Sequence, residues 1–451
     1  MPVAPEPPDL EPNILGRGEG RDHSFTPTKG LSEEVVRQLS RFKGEPAWML
    51  DIRLQALHHF EHRPRPDRHG KLDEIDFDEI CYIKPVPGRF AVLGADAEGH
   101  NRAGVAARHE SEAALDRGRQ VLERQGVVFG DMDTAVREHP ELVRDHIGTI
   151  VPPDSDPLSA LNSAVWSVGW FIYVPPGVEV DVPLAAPSRT NPEETGQFER
   201  TLIIADSGST VHYMEGCSAP VYTSDSLHSA VVEIVVRPGA RVTCTTIQNW
   251  SSNVCNVESK RARVEAQGHM TWVDGNIGSC LSVIRHGISL VGPGANGEVL
   301  SVAYAGVGQH HDIRADIVHA APGTSSRMVS KSISKDGGRS SHRGLVRVED
   351  DADGCRGQIR CDALLLDDHS FYEPHRNLET GSPDARIEQV SRVSKVAAEQ
   401  LFYLLSRGLS QAQAIGMVVN GFIEPVTRIL PVEYAVEWSR LIELQLEGSV
   451  G

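Results

Sequence analysis

Residues 245–279 read TTIQNWSSNVCNVESKRARVEAQGHMTWVDGNIGS, and their alternation sets the class of fold. Strand side chains alternate with period two, so Thr246, Gln248 and Trp250 share one face of an extended segment while Ile247 and Asn249 take the other. Outward from this stretch, from residue 161 to about 387, the chain keeps the same character. Short alternating runs such as FIYV, TLIIA, AVVEIVV and GLVRV are separated by turns in which glycine supplies positive φ at little cost. Turn signals recur at Gly208, Gly239 and Gly268, at spacings of 31 and 29 residues. A recurrence near 30 suggests a solenoid, although taken alone it also fits a jelly roll or a sandwich.

The flanks read differently. Residues 1–25 are rich in Pro, Gly and acidic residues, with too little apolar surface to offset ordering entropy, and a disordered tail is expected. Residues 26–160 form a mixed, largely helical region. Val35, Val36 and Leu39 stand at helical spacing after Ser32, and a second helix carries Trp48, Leu50, Ile52 and Leu57. Residues 63–100 read as irregular, 110–125 as helical, and the acidic residues around Asp131 as a loop. The β core is drawn over 161–390 and a helical region over 391–451. There Leu401, Leu404 and Leu405 form one apolar face that stops at Gly408, and Ser410 with Gln413 matches a capping box. Ile415, Val418, Val419 and Phe422 line the buried side of the next helix, with Gly421 and Pro425 as the break signals at its end. Pro431 opens a third helix through Tyr434, Val436, Trp438, Leu441 and Leu444. Such helices at the end of a β domain could serve only to cap it.

Composition excludes several functions. The 451 residues hold 44 Lys plus Arg against 62 Asp plus Glu, a formal charge of −18, which opposes a nucleic-acid footprint. No apolar run approaches the ~20 residues that span a bilayer, and the opening MPVAPEPPDLEPN lacks a basic and apolar leader, so the expected location is cytoplasmic. Seven cysteines, an odd number, give no closed disulfide framework and are read as thiols. None forms a CxxC pair, which argues against a fixed metal centre and permits a transient one. GQHHDI places His310, His311 and Asp312 in a row, but strand neighbours face opposite ways and cannot jointly chelate one ion. VEDDADG lacks the spacing and terminal Glu of an EF-hand and reads as a solvated turn. No GK[ST] phosphate loop is present, so ATP hydrolysis would belong to a partner.

The 245–279 block closely resembles the signature block of the SufB family, scaffold subunits of the Suf iron–sulfur cluster assembly machinery. The likeness continues through GQFERTLII (196–204), EGCSAP (215–220), SDSLHSAVVEI (224–234), LSVAYAGVGQ (300–309), SKSIS (330–334), RCDALL (360–365) and EQLFYLLSRGLS from Glu399. The resemblance implies an α+β, mainly β chain: a right-handed parallel β-helix core flanked by N-terminal and C-terminal helical regions. It implies that Cys217 accepts sulfur as a persulfide, a role open to an accessible, partly ionised thiolate. By residue type alone Cys217 could equally be an inert buried thiol. Thr246, Gln248, Trp250 and Lys260, with Arg189 and Asn191, match residues lining a sulfur passage. A migrating anionic sulfur species needs donors and positive charge in a low-dielectric interior, while the competing reading is a polar network that only fixes the fold. Cys361 matches the cysteine of the cluster-building site, with Glu388 as a further ligand. The implied cargo is a transient iron–sulfur cluster, and FAD binding is left open. The implied partners are a SufC-like ATPase docked on the C-terminal helices, a SufD-like or second SufB-like subunit, and a cysteine desulfurase system as sulfur donor.

One departure stands out. Where the family reads Glu-His-Glu or Gly-His-Glu, this chain has Glu388, Gln389 and Val390, so the imidazole and the second carboxylate are lost. His369 and His375, in the altered preceding loop, are the replacements nearest in sequence. A paralogue that keeps the docking helices and has lost cluster chemistry is therefore a second reading. A carbohydrate-active β-helix enzyme with paired carboxylates is a third.

Overall fold

The computed structural model of the chain describes residues 29–63, 75–80, 82, 91–92, 120–189, 196–218, 226–428, 430 and 432–447. The tail 1–25, most of 63–100 and 110–119 lie outside them. Two helices come first, α1 (Glu33–Lys43) and α2 (Ala47–His62). The Ser32 hydroxyl accepts from the Val35 amide at 3.3 Å and satisfies one of the open amides at the start of α1. After β1 (Ala91–Val92) and β2 (Val128–Asp131) come α3 (Met132–Glu138), α4 (Pro140–Arg144) and α5 (Pro157–Val165). The acidic residue expected in a loop, Asp131, instead ends a strand and caps α3, accepting from the Thr134 amide at 2.8 Å. Leu161, where the β core was drawn to begin, belongs to the buried helix α5.

From Trp170 onward the strands alternate between two sheets. Sheet I holds β4 (Leu184–Arg189), β6 (Thr210–Ser218), β8 (Arg241–Trp250), β10 (His269–Gly278), β12 (Asn296–Ala305), β14 (Ser325–Ser334), β16 (Arg356–Leu365) and β18 (Arg386–Lys395), all parallel, with β1 antiparallel on its first edge. Sheet II holds β3 (Trp170–Val174), β5 (Gln197–Ala205), β7 (Ser226–Val236), β9 (Val254–Val264), β11 (Leu281–Leu290), β13 (His310–His319), β15 (Arg339–Val348) and β17 (Phe371–Thr380), with β2 antiparallel on β3. Each strand pairs with the one two positions on, which makes a parallel β-solenoid of about seven turns. The last strand runs to Lys395, past the boundary drawn at 390.

The recurrence near 30 residues is the pitch of one coil. Gly208 and Gly239 adopt left-handed φ of 70° and 71°, and each donates its amide to the next coil's turn, to Pro238 and Ala266 at 2.9 Å. In the following coil that place belongs to Gln267 (φ 57°) and not to Gly268; the Gln267 amide bonds Pro293 at 3.0 Å. Gly268 is packed against Val264 and Val236 instead.

Among the described residues three large apolar cores result. One fills the solenoid lumen, with Val242, Cys244, Trp272, Met328, Ile359 and Cys361 among its members. A second joins α1, α2 and α5 to the outer face of sheet II through Leu39, Trp166 and Phe198. The third seats α7 (Gln411–Thr427) and α8 (Val432–Glu447) on the outer face of sheet I. Trp438 of α8 packs against Gly275, where a Cβ would stand 2.5 Å from the indole, so the glycine makes room for the ring. The capping box at Ser410 and Gln413 forms as expected. The helix does not stop before Gly421 and Pro425; it continues to Thr427 because buried Ile423 and Val426 hold its last turn against the core, where Pro425 forgoes a single hydrogen bond. Pro431 lies outside the described residues. Between β18 and α7, α6 (Ala398–Ser406) buries none of its residues. Among the described residues no helix is long and apolar enough to cross a membrane.

Candidate functional site

Parallel pairing without register shift stacks equivalent residues of successive coils about 4.8 Å apart. One inward row of sheet I runs Glu215, Thr246, Asp274, Ser301, Ser330, Cys361, Ser391. The neighbouring row begins at position 217 and continues Gln248, Asn276, Ala303, Ser332. Facing them across the lumen, β9 contributes Asn256, Glu258 and Lys260, and His286 of β11 pairs in register with Lys260. The lumen is therefore apolar at one side and polar along the other.

Lys260 is the centre of the polar half. Its ammonium contacts Glu258 Oε2 at 2.5 Å, Thr246 Oγ1 at 2.7 Å and Asp274 Oδ1 at 2.8 Å, all within the fully buried interior. Asp274 also accepts from the Thr246 hydroxyl and the Asn276 amide, and lies 3.8 Å from His286. Burial works against the ammonium, but Asp274 and Glu258 outweigh it and hold the Lys260 pKa above the ordinary value. Burial likewise penalises the Asp274 carboxylate; Lys260 and then His286 overcome that and depress its pKa. Glu215, one coil away, moves the other way: burial and the nearby Glu199 carboxylate raise its pKa well above the usual range, with Lys260 offsetting only part. Burial opposes charge on His228 too, yet its contact with Glu199 leaves it raised.

Beyond this cluster the interior holds polar atoms with no partner among the described residues. They include Gln248 Oε1, the indole N–H groups of Trp250 and Trp272, and the hydroxyls of Ser301 and Ser330. Each buried group left unpaired costs about 1–3 kcal/mol. Lys260 is already matched by two carboxylates, so the unmatched donors are neutral ones.

At the far end, Cys361 Sγ lies 3.1 Å from His342 Nδ1 of β15, and both side chains are buried. Burial, with a further contribution from His286, pulls the His342 pKa down to about 4, so the imidazole is neutral at physiological pH. Glu388 is not brought to Cys361. Cys361 pairs with Ser391 on the inner face, whereas Glu388 pairs with Gln358 and is exposed on the outer face. Ile387 packs into the lumen, so 387, 389 and 391 face inward and 388 and 390 outward. His369 and His375 are exposed; His375 contacts Glu373 at 3.1 Å.

Thr246 thus meets Lys260 directly, and Gln248 and Trp250 are buried further along the same face of β8. Position 217 is placed on β6 in register with Gln248, and Arg189 ends β4 in register with Ser218. The side chains of Cys217 and Arg189, and the whole of Asn191, lie outside the described residues. Sequence reasoning missed Glu258, Asp274, His286, Ser301, Ser330 and His342. For Glu258 the signal was present, two residues before Lys260 and hence on its face; for the others only the coil register supplies it. His311 bonds the Tyr304 carbonyl at 3.0 Å while Asp312 faces Arg343 at 3.3 Å, so the GQHHDI run shares no site. Among the described residues no three His, Cys, Asp or Glu side chains are grouped as a metal site.

Residues 188–422 match the family model described as SUF system FeS cluster assembly, SufBD core domain, and 113–185 match that of the SufBD protein N-terminal region. The chain belongs to the SufBD family. It is 47% identical to the iron–sulfur cluster assembly protein SufB of Bacillus subtilis over 465 aligned residues, covering the whole of both chains. An iron–sulfur cluster assembly SufBD family protein of Staphylococcus haemolyticus is also 47% identical over the full length, and one of Staphylococcus aureus is 46% identical. The core-domain match opens within β4 and closes within α7, so it takes in the polar rows, Lys260 and Cys361. SufBD membership places the chain in iron–sulfur cluster assembly and accounts for the mainly β solenoid.

Proposed function

We propose that the chain is an assembly scaffold that accepts sulfur at Cys217, passes it through the solenoid and builds a transient cluster at Cys361. The observation that carries this reading is the inward register. Position 217 and Cys361 stand five strand steps apart in sheet I, about 24 Å at ~4.8 Å per step. The rows between them hold Gln248, Thr246, Asn276, Asp274, Ser301 and Ser330 in place of core hydrophobes. A fold that needed only stability would fill those positions with apolar side chains, because unpaired buried polar groups destabilise it. Trp250, Trp272, Ser301 and Ser330 supply neutral donors to a travelling sulfur species, Lys260 organises the network, and the family resemblance assigns Arg189 and Asn191 to the same passage.

ATP hydrolysis rests with a SufC-like ATPase seated on the C-terminal helices. Supporting this, α6 leaves Phe402, Tyr403 and Leu405 exposed, and no element of the described chain covers them. A SufD-like subunit or second copy meets the solenoid at β17 and β18, the terminal strands of their sheets. The cluster is cargo, and the sulfur comes from a desulfurase system.

The test is anaerobic co-expression with Suf partners, followed by iron, sulfide and persulfide analysis. Cys217→Ala should lose protein-bound sulfur. Ser330→Leu, which fills the row between Asp274 and Cys361, should retain persulfide on Cys217 while losing cluster. Equal cluster content in Ser330→Leu and the unmodified chain would refute an interior passage. A second reading, a partner subunit without cluster chemistry, is favoured by the outward-facing Glu388 and the Gln at 389; a colourless complex under conditions that load the Bacillus subtilis relative would support it.

A further inference from the structure

The pair at the far end of the lumen has its own geometry. Cys361 projects inward from sheet I and His342 from sheet II, and they meet Sγ to Nδ1 at 3.1 Å with both side chains at or below 1% exposure. Among the described residues His342 Nε2 has no partner, and neither does the hydroxyl of Ser330, one coil below Cys361 in register. Met328 Sδ lies close by, within 3.0 Å of where a Cβ on Gly344 would stand. Gly344, two residues after His342 on the same inner face, thereby keeps this corner open to the thioether.

We propose that Cys361 Sγ and His342 Nδ1 are the two strong donors of a buried site for a thiophilic divalent cation, with iron(II) as its cargo. The proposal rests on Cys361 as the cluster-building cysteine and supplies the nitrogen ligand that the last strand does not. Thiolate plus imidazole is a borderline-soft donor set suited to iron, cobalt and zinc. A tetrahedral ion with bonds of about 2.3 Å to sulfur and about 2.0 Å to nitrogen holds the two donors about 3.5 Å apart, so the observed pair has to open by only a few tenths of an ångström. On binding, the thiol proton leaves to solvent as the sulfur–metal bond forms, and the neutral imidazole donates its Nδ1 lone pair. No electrons are exchanged. Ser330 offers a weak third donor, and the remaining positions stay open to sulfide. His342 holds this place because β15 and β16 face each other across the lumen; neither His369 nor His375 reaches it.

The experiment is an anaerobic titration of the purified full chain with cobalt(II) alone. Near-ultraviolet absorption reports a thiolate–cobalt bond, and proton NMR reports a strongly shifted, exchangeable imidazole N–H from Nε2. The unmodified chain should show both signals, and Cys361→Ser should lose the absorption. His342→Gln should lose the shifted resonance and bind cobalt at least about tenfold more weakly. His375→Ala should match the unmodified chain. A cobalt–thiolate band at Cys361 with no shifted imidazole resonance in the unmodified chain would overturn the proposal without recourse to a variant. So would unchanged affinity in His342→Gln, or no band dependent on Cys361. Separately, iron and sulfide loading that survives Cys361→Ser would sink the scaffold reading of Cys361 while leaving the cobalt result to stand for the donor pair.

Discussion

Replacing Lys260 by methionine keeps the reach of the side chain and deletes its charge. The ammonium faces Glu258 at 2.5 Å and Asp274 at 2.8 Å, and all three side chains are at most 2% exposed. Breaking a buried ion pair by removing one partner costs about 3–5 kcal/mol, because the remaining charge is left in a low dielectric. Here two carboxylates lose the same cation, so the loss should fall near the upper end, a large share of the ~5–15 kcal/mol that holds a typical domain. The pH dependence follows from Asp274. With Lys260 present its folded pKa is depressed, so its contribution is present above the ordinary carboxylate value of ~3.9 and is lost as pH falls through the lower folded value. Without Lys260 the strongest opposing charge is gone, His286 remains as the weaker one, and the folded pKa rises from its depressed value, so the stability that Asp274 contributes above ~3.9 shrinks. The deficit of Lys260→Met should therefore be largest near neutrality and shrink on acidification. Urea unfolding, followed by the fluorescence of Trp250 and Trp272 and by far-ultraviolet circular dichroism, measures this directly. Adding Glu258→Gln, which removes one stranded carboxylate, should recover more than half of the loss. A variant within about 1 kcal/mol of the unmodified chain, with no pH dependence in the difference, would refute the assignment of Lys260 as the counter-ion of both carboxylates.

Further outcomes follow from the packing. Gly275→Ala should destabilise the seat of α8 by about 1–3 kcal/mol, since its methyl meets the Trp438 indole at 2.5 Å; limited proteolysis should release the C-terminal helices sooner than from the unmodified chain. Phe402→Glu, on the exposed face of α6, should abolish co-purification with a SufC-like ATPase and leave the melting of the solenoid unchanged; undiminished capture would move the docking site elsewhere. Burial lowers the His311 pKa to about 4 from its ordinary ~6.5, so the neutral ring contributes stability that is fully present above ~6.5 and is lost as pH falls toward about 4. His311→Gln should flatten that acid limb in urea titrations, and an unaltered slope would show that other groups set it.

Much of this molecule is legible from residue order because its organising rules are local. Period-two alternation marks the strands, the recurrence of turns near 30 residues is the coil pitch, and Ser410 with Gln413 announces a helix start through hydrogen bonds within four residues. Even there, local signals misplace elements that tertiary packing overrules. Gln267 takes a left-handed turn beside an available glycine because the amide of that coil must reach Pro293. The helix α7 runs through Pro425 because Ile423 and Val426 are buried against sheet I.

The site divides along the same line. That Thr246, Gln248, Trp250, Glu258 and Lys260 point into one interior follows from alternation once the strands are placed, and the sequence determines it. What meets what is decided by the closure of the solenoid. Cys361 and His342 are 19 residues apart on strands of different sheets, and only the folding of each coil back across the lumen sets sulfur against nitrogen. Glu388, aligned by sequence with a ligand position, is carried to the outer face because the register of β18 on β16 puts Ser391 beside Cys361 and every second residue outside. A one-residue step along a strand reverses the face a side chain presents, so sequence determines the alternation, and the pairing of strands decides which residues share the interior.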